Sequence, residues 1–264
     1  MNIPGEENNK NTWHRSFILE LERTGITYQL LSSILSHTLQ LTEHLAISLI
    51  DIQTPYLPDQ LVHEQALFLQ NKIKLVYLWE DVWLTKPQQV MARVQSLLGI
   101  NKRIHGRKTQ VKRISKPVAD QFLNHNHLQG AVSARYKYGL ILQEELVAVA
   151  TFSALRKMNF AENYKSAELI RFAVKAGYSV TGGLSKLIAG FKEDLEPQDI
   201  MTYADRDWSA GDAYHRLGFQ QTGILEPQYF VLTENLQRYI IKDSLDNGAE
   251  KVFNTGSLKF ILKF

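Results

Sequence analysis

The chain has 264 residues, is 44% hydrophobic and 22% charged, and carries a formal net charge of +3 with no cysteine. That length suits one large domain or two ordinary ones, and the balance is that of a folded chain, not a disordered one. Without cysteine, disulfides and thiolate metal sites are excluded, so any metal needs His, Asp or Glu ligands. No apolar run approaches the ~18 residues of a membrane helix, and the polar start MNIPGEENNKNTW lacks the pattern of a secretory signal. The expectation is a cytoplasmic protein with no membrane partner.

In chain order, residues 26–43 (ITYQLLSSILSHTLQLTE) have helix-like apolar spacing, and AISLIDIQ (46–53) reads as a strand. DQLVHEQALFLQNK (59–72) predicts a helix and IKLVYLWE (73–80) a second strand. TKPQQVMARVQSLLG offers Thr85 as an N-cap, Pro87 in the first turn and Gly99 as the stop. This order predicts a small α/β domain over 1–110. It ends in NKRIHGRKTQVKRISK (101–116), which holds seven Lys or Arg and no acid. Such a run is a solvated linker or a strand edge, or it is a stripe that pairs with phosphates.

The second domain is expected over 111–264. Ser115 and Pro117 open a helix, VADQFLNHN, and two apolar runs around Gln143-Glu144-Glu145 predict a hairpin over 137–153. AELIRFAVK (167–175) is a strand, SVTGGLSKLIAGFKEDL a glycine turn feeding an amphipathic helix, DIMTYADRD a strand and AGDAYHRLGF a helix. QYFVLTENLQRYIIK adds two β-rich runs. At Gly182-Gly183 the backbone is free to approach a ligand, and the helix start presents unpaired N–H groups suited to a diphosphate, with Ser185 and Lys186 beside them. A glycine pair before a helix is also simply a turn. The sequence there matches neither GxxxxGK[ST] nor GxGxxG, so ATP and dinucleotides are poor guesses. In YADRDWSAGDAYHRLGF (203–219), Asp205, Asp207 and Tyr214 surround one strand-to-helix turn. They are surface and core residues, or they flank a cleft where a proton moves.

A hairpin, a strand, a glycine turn with its helix, then a strand and a helix ending in Ala213-Tyr214-His215-Arg216-Leu217-Gly218-Phe219 resemble the GNAT acyltransferase fold. The resemblance implies a mixed sheet with flanking helices that splays at a cleft where the strand over 199–205 ends. It implies that Val180, Gly182, Gly183, Ser185 and Lys186 hold the diphosphate of acyl-CoA, with acetyl-CoA as the expected donor. It implies that Tyr214 protonates the departing thiolate. The turn departs from the family's spaced glycines, since Val180 here precedes an adjacent pair.

FLNHNHLQG (122–130), with the runs above in the same order, is similar to a phage-associated group related to the Mom DNA-modification proteins. That resemblance implies acyl transfer to a nucleic-acid base, adenine N6 in DNA, with Tyr214, His127, Asp205 and Arg171 as catalytic residues. It also implies iron on His127 and Asp205, with Asp207 or His125 as a third ligand, and Tyr136, Tyr138 or Trp208 stacking on a flipped base. The segment AISLIDIQ…LVYLWEDVW…VMARVQSLLG…RIHGRKTQVKRI resembles very-short-patch repair endonucleases. There Asp51 stands on the expected strand, but no acid-x-Lys follows, which implies a degenerate module that binds DNA. Glu80 and Asp81 belong to that site or are simply solvated. Alternatives are an endonuclease with an accessory GNAT-like domain, an N-acyltransferase for a small amine or protein, and a DNA-binding protein without catalysis.

Overall fold

The computed structural model describes residues 12–32, 37–159, 161–240 and 250–264. The chain forms two compact units: Met1–Met91 with Asp205–Ala210 and Leu225–Ser257, and Ala92–Ala204 with Gly211–Ile224 and Leu258–Phe264.

The first unit begins with α1 (Thr12–Arg23), β1 (Gln29–Ser32), β2 (His37–Thr42), β3 (Leu45–Ile50), α2 (Pro58–Gln70), β4 (Lys74–Trp79) and α3 (Glu80–Thr85). The strands lie in the order β1-β2-β3-β4. β1, β2 and β3 pair antiparallel, and β3 runs parallel to β4. Within 26–43, expected to be helical, residues 33–36 lie outside the described ones, and the described part forms the strands β1 and β2 instead. Pairing with the fully buried β3 outweighs the helical spacing: Leu39 and Leu41 are buried, and the Thr38 hydroxyl lies 3.0 Å from that of Ser48. Trp13, Phe17 and Leu21 recur every four residues along α1 and are buried, as a one-sided helix requires.

α4 (Pro87–Leu98) starts on its proline and stops at Gly99, whose φ is +71°. Thr85 does not cap it. That residue closes α3, with its hydroxyl donating to the Asp81 carbonyl at 2.6 Å.

Of the two bland readings of the basic run, strand edge and linker, the strand edge is the one observed. The run folds as β5 (Lys102–His105), a 3-10 turn (Gly106–Lys108) and β6 (Gln110–Arg113). Next come α5 (Lys116–Asn126), β7 (Tyr136–Leu142), β8 (Glu145–Phe152), β9 (Arg156–Lys157), β10 (Lys165–Val174), β11 (Tyr178–Thr181), α6 (Gly183–Leu195), β12 (Asp199–Asp205), α7 (Asp212–Arg216) and β13 (Gln220–Leu225). β14 (Tyr229–Leu232), β15 (Arg238–Ile240), β16 (Lys251–Phe253) and β17 (Ser257–Lys263) complete the described elements.

The large sheet runs β13-β17-β12-β10-β8-β7-β6, with β9 on β10. The β7–β8 hairpin turns on Gln143 and Glu144, both at positive φ, as tight right-twisted hairpins require. One face is covered by α5, whose Ala119, Phe122 and Leu123 meet Val149 and Ala173. The other is covered by α6, whose Leu187, Ile188 and Phe191 meet Leu140, Ala148 and Phe152. Phe152 and Phe191 stack with centroids 4.1 Å apart. The expected α/β class, a mixed sheet with flanking helices, is the class observed.

The division of the chain differs from a single cut at residue 110. β5 pairs parallel with β11 inside the second unit. In turn β14, β15 and β16 form a three-stranded sheet whose Leu232, Val252 and Phe253 share a core with Tyr77 and Trp79 of the first unit.

Candidate functional site

β10 and β12 pair only from Ser166 and Asp199 to Leu169 and Thr202. The Thr202 hydroxyl donates to the Leu169 carbonyl at 2.9 Å and closes that last rung. Beyond it β10 continues to Val174 along β8, while β12 continues to Asp205 without this pairing. A slot therefore opens between two central strands, edged by backbone N–H and C=O groups that need partners.

At the same place β10 carries a bulge. Its register with β8 shifts between Leu169 and Arg171, so Ile170 is an extra residue. Ala167 and Leu169 face the α6 core before the bulge, and Phe172 and Val174 face it after. Glu168, Arg171 and Ala173 thus share the α5 face, although Glu168 and Arg171 are three residues apart.

Tyr214 reaches the slot from α7. That helix begins after Gly211, whose φ is +83° and whose missing Cβ would lie 2.2 Å from the Phe260 ring. The Tyr214 ring packs 5.4 Å from both Phe219 and Phe260, and its phenol lies close enough to Thr202 and Arg171 for both to act on its ionisation. Burial raises its pKa; Thr202, Arg93 and Arg171 pull it partly back. The phenol is therefore a protonated acid at neutral pH. Arg171 donates through Nε to the Gly130 carbonyl at 3.3 Å and through Nη1 to the Ile170 carbonyl at 2.9 Å. The Gly130 amide donates to the His127 carbonyl at 3.0 Å, so the turn bearing His127 is tied to Arg171.

Gly182 caps α6 at a φ of +73°. A Cβ on Gly183 would fall 2.8 Å from Val180 Cγ1 and 3.1 Å from Leu140 Cδ1, so Val180 and the glycine pair make one close-packed turn. The first-turn amides at 183–185 have no intrahelical acceptor by position. Ser185 turns its hydroxyl to the Gly182 carbonyl at 3.0 Å. Lys186 donates to the Gly106 carbonyl at 3.1 Å and also to that of Thr109, holding the basic turn against the start of α6.

Tyr214 lies near Thr202 and Arg171, and Tyr203 near Glu168. By strand alternation Tyr203 shares the α5 face with Glu168. Burial, with the Glu168 charge, raises its phenol, and Arg156 opposes.

The remaining candidates have structural partners. His127 ends α5, and its Nδ1 accepts the Gln129 amide at 3.1 Å. His125 Nδ1 lies 2.7 Å from the Gln121 carbonyl. Asn124 accepts the Ala131 amide and Asn126 the Ala176 amide, each at 2.8 Å. The Asn-His-Asn-His run therefore finishes a helix. Asp205 accepts the Asp207 amide at 3.1 Å, and its carbonyl takes the amides of Trp208 and Ser209. Among the described residues no three His, Asp or Glu side chains are grouped to hold a metal ion, so the expected iron has no ligand set there. Tyr138 and Trp208 are buried, the former with its hydroxyl on Asp194 at 2.8 Å, so they pack the core instead of facing a base.

In the first unit, Asp51 accepts Trp13 Nε1 at 2.7 Å, and His14 Nε2 lies 3.2 Å away. Burial opposes its ionisation, but His14 and Trp13 outweigh that and hold the carboxyl below its usual range. Glu80 accepts the Ile52 amide at 3.0 Å, and burial pushes its pKa up. Asp81 is not solvated: it is buried, and Arg238 grips both oxygens at 2.6 and 2.8 Å.

No family model matches the chain, and no curated protein matches it. It is similar to several solved structures. A GNAT family acetyltransferase from Elizabethkingia anophelis with acetyl-CoA bound is 13% identical, with 60% of this chain and 99% of that one covered, at a TM-score of 0.37. The ribosomal-protein-S18-alanine N-acetyltransferase from Escherichia coli is 16% identical over 59% and 93%, at 0.39. Arabidopsis thaliana Naa50 with a bisubstrate analogue is 13% identical over 60% and 99%, at 0.39. Among the described residues no helix is long and apolar enough to cross a membrane.

Proposed function

We propose that the second unit is an acyltransferase of the GNAT type that moves an acyl group from acyl-CoA to an amine. The observation that supports this most is the end of β10–β12 pairing at Leu169 and Thr202, with the Tyr214 phenol at that point. Strand edges freed at the centre of a sheet suit the amide-bearing arm of coenzyme A, and the 183–185 amides suit its diphosphate. Gly183 serves the packing of that turn against Val180 and Leu140, and the fit to a diphosphate rests on the first-turn amides at 183–185.

The chemistry follows from the groups at hand. The amine nitrogen attacks the thioester carbon and gives up a proton to Glu168, directly or through a water. As the carbon–sulfur bond breaks, the sulfur takes the Tyr214 proton. Arg171, on the face of Glu168, steadies negative charge there and opposes in part the burial that raises the Tyr214 pKa.

The acceptor is an amine presented on the α5 face, and adenine N6 in DNA is the specific acceptor the sequence resemblance names. The test is expression in bacteria followed by mass spectrometry of nucleosides and of a panel of amines incubated with acetyl-CoA. Acylation that disappears in Tyr214→Phe and Glu168→Gln supports the assignment. Undiminished acylation in both removes it. A mass-shifted deoxyadenosine selects the base, and its absence beside an acylated amine selects the small-amine or protein acceptor.

A further inference from the structure

The basic run 101–116 does not behave as a separate arm. β5 pairs in parallel with β11, placing Arg103 opposite Ser179 and His105 opposite Thr181, one residue before Gly182. The following turn is pressed on the same spot: a Cβ on Gly106 would lie 2.9 Å from the Thr181 carbonyl oxygen. Lys186 fastens it further through the carbonyls of Gly106 and Thr109. Ile104, Gly106 and Thr109 are buried, whereas Arg103, His105, Arg107 and Lys108 are exposed. The backbone of the run is thus anchored and its cationic heads project.

Three of its cations are already engaged, Arg113 with Asp194 at 2.9 Å, Lys116 with Asp120, and Lys102 over the Tyr178 ring at 5.8 Å. Arg103, Arg107 and Lys108 form no ion pair among the described residues. Neither 101–116 nor the facing stretch 169–192 contains an acid. Three uncompensated cations held at one place repel each other unless an anion joins them.

Resting on the acyl-CoA reading above, we propose that Arg103, Arg107 and Lys108 form a clamp for the phosphates at the nucleotide end of the cofactor. The clamp is built from chain that precedes the large sheet. Nucleic acid would use the same charges, but it would need no anchoring of the run to the glycine turn. Lys186 acts here as a positioning residue for the 3-10 turn.

The test is calorimetric titration of the full chain with coenzyme A, dephospho-coenzyme A and pantetheine, at two salt concentrations, for wild type, Arg103→Gln and Arg107→Gln/Lys108→Gln. The expected result is a loss of coenzyme A affinity of roughly 10-fold per cation removed, since each is a charge-assisted contact. The salt dependence should become shallower, and pantetheine binding should not change. Equal coenzyme A affinity in wild type and variants overturns the clamp while leaving the acyl-CoA reading intact. No binding of coenzyme A by wild type overturns both. Coenzyme A affinity held while the variants lose a labelled DNA duplex assigns the cations to nucleic acid and also overturns the clamp.

Discussion

Replacing Tyr214 by Phe removes one oxygen at the mouth of the slot and little else. Thr202 keeps its own bond to the Leu169 carbonyl, and the ring keeps Phe219 and Phe260. Removing one hydroxyl in this way changes stability by about 1 kcal/mol or less. The chemical cost is larger. The departing thiolate resembles a cysteine of pKa about 8.5, and the Tyr214 phenol is held above its ordinary 10. A donor less acidic than the group it protonates gives up its proton only late, as the carbon–sulfur bond breaks. Its contribution should sit at the low end of general-acid catalysis, about 100-fold in kcat, or about 2.7 kcal/mol. The assay is thiol release from acetyl-CoA with the amine that gives wild type its turnover, from pH 6 to 9. Wild type should show no alkaline loss in that window that is due to the phenol, because it stays protonated. The variant should lose kcat with KM and melting temperature unchanged. A folded variant whose kcat stays within a factor of three of wild type refutes the assignment.

Gly183→Ala places a methyl 2.8 Å from Val180 Cγ1 and forces the turn or Val180 to move. Such overpacking costs about 1–3 kcal/mol, and by displacing the turn it should appear as weaker coenzyme A binding by calorimetry, with an unchanged affinity counting against a role for these amides in binding. Asp207 is buried and accepts Thr255 N at 2.9 Å, Thr255 Oγ1 at 2.6 Å and Trp79 Nε1 at 3.2 Å. Burial, then the Asp205 charge, pushes its pKa up to about 7, against an unfolded value near 4. The folded state therefore holds a proton that the unfolded chain has lost between those limits, and this contribution fades as pH rises from about 4 to 7. Urea unfolding should show wild type losing stability from pH 5 to 7 and Asp207→Asn losing less; parallel slopes would refute the titration. Asp81→Asn strips a charge from Arg238, whose side chain is only 22% exposed. Breaking such a pair costs about 3–5 kcal/mol, so denaturant unfolding that stays within 1 kcal/mol of wild type would contradict the burial described.

The second unit was legible because its elements carry local punctuation. Gly99, the Gln143-Glu144 turn and Gly182-Gly183 each mark a chain reversal or helix end that backbone sterics demand. Residues 26–43 were misread because nothing local separates a helix-spaced apolar run from two short strands. The deciding contacts, Leu39 and Thr38 against β3, come from a strand later in the chain. The basic run was read as a boundary because its partner, β11, lies about seventy residues away and leaves no trace in its composition. A greater separation, 157 residues, hides the partner of Asp81, Arg238, which arrives from β15.

Tyr214 was recoverable from its place before Gly218-Phe219, but Glu168 was not, and the reason is one residue of register. In an unbroken strand, positions three apart point to opposite faces, so Glu168 and Arg171 read as belonging to different surfaces. The bulge at Ile170 reverses the alternation and joins them on the α5 face. It also lies just past Leu169, where β10 stops pairing with β12. The strong twist that a bulge imposes gives a physical reason for the parting of the strands. One inserted residue thus accounts both for the slot and for the charged pair beside it, and any sequence reading that assumes strict period-two strands will miss both at once.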